Sequence, residues 1–87
     1  MMADKAHVTK LLKTARGQLD GILKMVEDDR YCMDISQQLM ATEAMLNKVN
    51  KEILTAHLKH CVSNAQTQAE RDEKVDELVN MLGKIMK

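Results

Sequence analysis

Apolar residues recur along this chain at helical spacing in three stretches. Val8, Leu11, Leu12, Ala15, Leu19, Ile22 and Val26 follow one another mostly at three and four residues, with Lys10, Lys13, Arg16, Asp20 and Lys24 off that stripe. The pattern predicts an amphipathic helix. The acidic run Glu27-Asp28-Asp29-Arg30 breaks it. Beyond the break, Ile35, Leu39, Thr42, Leu46, Val49, Ile53, Ala56 and His60 step alternately by four and three, with no Pro or Gly among them. This predicts one long helix with a heptad-like seam, in which the methyl group of Thr42 can still pack. The polar segment 63–70 (SNAQTQAE) reads as a linker, and Val75, Leu78, Val79, Leu82, Ile85 and Met86 predict a short third helix.

The expected fold class is therefore all-α: a helical hairpin plus a short C-terminal helix, forming a single domain over 1–87. A chain of 87 residues buries only about 60% of its unfolded surface. Dimerisation into an antiparallel four-helix bundle is the natural way to complete its core.

Composition agrees with helix and narrows the function classes. Proline, Phe and Trp are absent, and Tyr31 is the only aromatic residue. Gly17 and Gly21 lie four apart, and their cost in a helix of about 1 kcal/mol each suggests close approach by another helix. The formal net charge is zero, so no global basic field marks nucleic acid as a partner. No apolar run reaches membrane-spanning length and no signal peptide is visible, so a cytoplasmic protein is expected. Two cysteines in that setting point to reduced thiols that serve metal or redox chemistry.

The cysteines and histidines are unevenly placed. Ala56-His57-Leu58-Lys59-His60-Cys61 holds two histidines and a cysteine, whereas Cys32 stands alone upstream. His57 and Cys61 are four apart and share a helix face, so they can bind one ion. His60 is rotated away onto the apolar seam and reads as structural. On one continuous helix, Cys32 and Cys61 would be about 43 Å apart, too far for one chain to join them. Two antiparallel copies would bring Cys32 of one subunit to His57 and Cys61 of the other, giving two sites related by a two-fold axis. Two thiolates and an imidazole suit Cu(I), a soft ion, whereas Zn(II) generally needs a fourth ligand. The alternative is a pair of small packed cysteines without a metal. Met25, Met33, Met40, Met45, Met81 and Met86 read as adaptable packing rather than copper ligands.

The stretches ARGQLDGILKMVEDDRYC (15–32) and HLKHCV (57–62) carry a resemblance that extends over nearly the whole chain. The sequence resembles the copper-sensing repressor (CsoR) family of small all-helical bacterial repressors. In that family, Cys32, His57 and Cys61 match the spacing of the Cu(I) ligands. The resemblance implies a metal-free form that binds operator double-stranded DNA, and Cu(I) binding that releases it to derepress copper-resistance or efflux genes. It also implies a homodimer or homotetramer, the latter a dimer of dimers, and no enzyme. Tyr31 and Glu77 match positions that hold the liganding His through hydrogen bonds, where an acceptor is needed to fix the ring. A persulfide-sensing relative would lack His57, and a nickel-sensing one would have His in place of Cys61. Lys10, Lys13, Arg16, Lys48 and Lys51 are the expected phosphate contacts. The first 26 residues carry five Lys or Arg against two acids, although Thr14 and Arg16 depart from the family's usual Arg and Glu.

Overall fold

A computed structural model describes residues 1–85, with three helices: α1 (Lys5–Glu27), α2 (Cys32–Asn64) and α3 (Gln68–Ile85). The described residues contain no strand, as the all-α expectation requires. Met86, assigned to the third apolar stripe, lies outside the described residues. The chain divides into two compact units, one of residues 5–49 and one of residues 1–4 with the chain from Asn50 onward.

The first unit is a helical hairpin. α1 buries Val8, Ala15 and Ile22, and the first half of α2 buries Thr42 and Val49. Each set recurs at seven residues, the repeat that keeps one narrow seam of a helix on its neighbour. The Thr42 hydroxyl donates to the Gln38 carbonyl at 3.1 Å, so its burial leaves no polar group unpaired. The seam is narrower than the apolar stripe. Leu12, Leu19, Leu39 and Leu46 remain 44–49% exposed, because a single neighbouring helix covers one line of side chains and not its flanks. Gly17 and Gly21 are exposed, and a Cβ at either would meet nothing within 4 Å. The close helix approach expected of them is absent within the chain, because they lie on the side of α1 away from the seam.

The turn after α1 closes by two backbone bonds. The Arg30 amide donates to the Met25 carbonyl at 2.9 Å, and that of Asp29 to the Val26 carbonyl at 3.1 Å. This is the Schellman arrangement, and it places Asp29 in the left-handed region at φ 52°. An L-residue with a Cβ pays for that conformation, and a carboxylate at a helix C-terminus also opposes the dipole. Asp29→Gly is therefore expected to stabilise the fold by about 1 kcal/mol, a rise in Tm of roughly 4–8 °C in thermal unfolding followed by circular dichroism. Immediately downstream, the Tyr31 carbonyl accepts from the amides of Asp34 (3.0 Å) and Ile35 (3.2 Å). Tyr31 thus caps α2, and Cys32 is its first residue.

In the second unit, the rest of α2 is followed by α3, and Leu78 is buried. The expected linker over 63–70 is corrected here: α2 runs to Asn64 and α3 begins at Gln68, so only residues 65–67 connect them. The Thr67 hydroxyl oxygen accepts from the Glu70 amide at 3.1 Å, while the Glu70 carboxylate accepts from the Gln66 amide at 3.0 Å. Thr67-Gln68-Ala69-Glu70 has the capping-box sequence, with Glu70 reaching back to the amide one residue before Thr67; its polar residues start a helix while looking compositionally like a linker.

Candidate metal centre

α2 carries all three predicted ligands on one unbroken helix. Cys32 is exposed at its first turn and Cys61 is half-buried near its last. Cys61 follows Cys32 by 29 positions, about eight turns of an ideal helix, which returns to within about 20° of its starting face. The helical period therefore assigns Cys32, His57 and Cys61 to one side, together with Leu39 and Leu46. The axial separation implied by the helix rise, about 43 Å, keeps Cys32 from the other two within the chain. Among the described residues, no group of three His, Cys, Asp or Glu is assembled to hold an ion.

His57 and Cys61 do meet. Nε2 of His57 lies 3.4 Å from Sγ of Cys61, and both side chains are half-buried. Two donors at ordinary imidazole and thiolate bond lengths from a shared ion would stand about 3.6–3.8 Å apart for angles between tetrahedral and trigonal. The pair is thus within a few tenths of an ångström of chelating geometry, set by helix spacing alone. An imidazole nitrogen and a thiol sulfur at this distance have the chemistry and spacing that fit a soft metal ion.

His60 departs from its expected place on the apolar seam. It is exposed, with its Nε2 3.0 Å from Asn64 Nδ2, which also donates to the His60 carbonyl at 2.9 Å. The half-buried side of this part of α2 is made by Leu54, His57, Leu58, Cys61 and Val62, in the unit that contains α3. The seam that faces α1 in the first unit is not continued through His60.

Glu77 of α3 and His57 line the same cavity, of about 480 Å³. Glu77 is exposed and its carboxylate lies 3.7 Å from Lys74 Nζ. Tyr31 is 68% exposed at the cap of α2. The same cavity includes Asn80, Met81, Met1 and Met2, none of which sequence reasoning placed beside His57. Met81 follows Glu77 by four residues and so shares its face of α3, which is the one signal available for it. Nothing in the spacing of Met1 and Met2 could bring them there.

Lys10, Lys13, Arg16, Lys48 and Lys51 are all exposed. Lys10 and Lys13 line one groove on α1, with Thr9 and Thr14, and Lys13 and Arg16 line another with Leu12. Lys48 belongs to the same unit as these, and Lys51 to the other. No described helix is long and apolar enough to cross a membrane.

Comparison with known proteins gives this geometry a family. A model of the metal-sensitive transcriptional repressors matches residues 4–84. The copper-sensing transcriptional repressor CsoR of Mycobacterium ulcerans is 44% identical over 69 residues, which is 79% of this chain and 59% of that one. CsoR of Bacillus subtilis is 37% identical over 84 residues, covering 97% and 83%. Among solved structures, the copper-sensing repressor CsoR with Cu(I) from Geobacillus thermodenitrificans superposes with a TM-score of 0.78 at 36% identity, over 94% of this chain and 85% of that one. The nickel-responsive regulator InrS shares the fold, with a TM-score of 0.79 at 22% identity over 98% and 96%. With its family pattern spanning nearly all of α1, α2 and α3, the chain belongs to the metal-sensitive transcriptional repressors.

Proposed function

We propose that this chain is a Cu(I)-responsive repressor, whose metal-free form binds operator DNA and whose Cu(I) form releases it, derepressing copper-resistance or efflux genes in the cytoplasm. The observation that carries this reading is the His57–Cys61 pair at 3.4 Å on the helix that Cys32 begins, whose period assigns Cys32 to the same side. A helix with one ligand at its start and two near its end completes the set only against an antiparallel copy. Leu39 and Leu46, 49% and 44% exposed on that side, supply apolar surface for such a partner helix. The proposed assembly is an antiparallel four-helix bundle, with two such dimers forming a tetramer and residues 1–87 acting as one domain. Names of the relatives support copper over nickel, as does Cys at position 61. Its task is binding, with no catalytic step.

Glu77 and Tyr31 are proposed to orient His57, Glu77 from the cavity they share and Tyr31 from the partner's helix start. The Lys10, Lys13, Arg16, Lys48 and Lys51 side chains are proposed to contact phosphates. Replacing Lys10, Lys13 and Arg16 together by Gln is expected to reduce the slope of log affinity against log salt by about 2.7 for each subunit that contacts the duplex, at about 0.9 per lost phosphate contact. An unchanged slope would remove α1 from the DNA interface.

The direct test uses a duplex selected from a random pool by the reduced, metal-free protein. Anaerobic Cu(I) loading is expected to weaken its binding by roughly 5–150-fold, and the duplex to weaken Cu(I) binding by the same factor, since the coupling is reciprocal. Equal DNA affinity with and without Cu(I) would refute the reading.

A further inference from the structure

Three of the chain's eight methionines, Met1, Met2 and Met81, line the cavity that His57 also lines. Ile53 and Leu54 form apolar walls there. Buried methionine usually serves as adaptable packing, but these three are 71%, 49% and 41% exposed. These side chains are therefore not closed off in a packed core. Thioether sulfur is soft, carries no proton to displace, and selects Cu(I) over Zn(II) and other harder ions. An apolar wall behind neutral donors also avoids the desolvation of a charged ligand.

We propose that this cavity is a Cu(I) entry site. Met1, Met2 and Met81 take the ion as a transient thioether complex and pass it to His57 and Cys61. This rests on the copper reading above and adds a second, weaker site to it. The transfer is a ligand exchange: Cu–thioether bonds break as Cu–N and Cu–thiolate bonds form. Copper stays Cu(I) throughout, and the proton leaving the Cys61 thiol passes to buffer. His57 lines the cavity and contacts Cys61 at 3.4 Å, so one residue belongs to both sites.

The test separates this site from the main one. Full-length protein carrying Cys32→Ala and Cys61→Ala, labelled with ¹³C at the methionine methyl groups, is titrated anaerobically with Cu(I) and followed by NMR. The methyl signals of Met1, Met2 and Met81 are expected to move first, ahead of those of Met25, Met33, Met40 and Met45. Parallel movement of all methionines, or none, would overturn the proposal. In the chain with both cysteines, Met1→Leu, Met2→Leu and Met81→Leu together keep apolar volume while removing sulfur. This variant is expected to accept Cu(I) from a chromophoric chelator about tenfold more slowly, since the effective concentration beside His57 is lost, with its equilibrium affinity nearly unchanged. An unchanged rate would overturn the relay. Should Cu(I) fail to release DNA while these methyl signals still respond, the repressor reading fails and the thioether site stands.

Discussion

Cys61→Ala is expected to weaken Cu(I) binding by more than about a hundredfold, beyond the 10–100-fold that losing an outer hydrogen bond to a ligand typically costs. The thiolate is a direct donor, and its removal leaves His57 with no chelating neighbour, because their contact at 3.4 Å disappears with it. Cys32→Ala should cost as much for the same reason. His57→Ala should cost less, since two thiolates still form a soft pair. Competition against a chromophoric Cu(I) chelator under reducing conditions measures all three. The fold should survive these changes: Cys32 is exposed and Cys61 only half-buried, and alanine is the best helix former. Thermal unfolding of the metal-free variants checks that point. Retention of tight Cu(I) binding by Cys61→Ala would show that the ion is held elsewhere and would sink the proposed centre.

Mixing the two inactive variants should restore binding. In a heterodimer of a Cys32→Ala chain with a Cys61→Ala chain, one of the two-fold-related sites has lost both cysteines. The other keeps Cys32 from one subunit and His57 with Cys61 from its partner. Random reassortment of equal amounts makes half the dimers mixed, so about one tight site per four chains should return. The two variants are co-refolded or co-expressed with different affinity tags, and copper is counted in the doubly tagged fraction, where about one ion per dimer is expected if dimers are isolated and about 0.6 per dimer if dimers pair at random into tetramers. No recovery in that fraction would mean that each chain builds its own site. This is the sharper of the two tests, because a metal centre within one chain and one shared by two predict opposite outcomes.

Residues whose role follows from local spacing were legible without the structure. Val8, Ala15 and Ile22 fall in the seam that the α1 stripe predicts, and the chelating spacing of His57 and Cys61 is a property of any helix. Residues whose role depends on what covers them were not. Gly17 and Gly21 suggested a close helix, but within the chain α1 turns them toward open space. His60 fitted the heptad count, yet this part of α2 belongs to the unit with α3, where the half-buried side is another one. The segment 63–70 is a different case: it looked like a linker because its residues are polar, although the local Thr-x-x-Glu spacing of Thr67 and Glu70 is itself a helix-start signal.

By itself, then, the sequence determined the three helices, the seam of the hairpin, and the placing of Cys32, His57 and Cys61 on one side of α2. These follow from a period of 3.6 residues and a rise of about 1.5 Å per residue, which act within single elements. Tertiary structure alone decided that Glu77 shares a cavity with His57, and that Met1 and Met2 reach that cavity from the other end of the chain. Such contacts join residues tens of positions apart through the packing of side chains, and no local period encodes them.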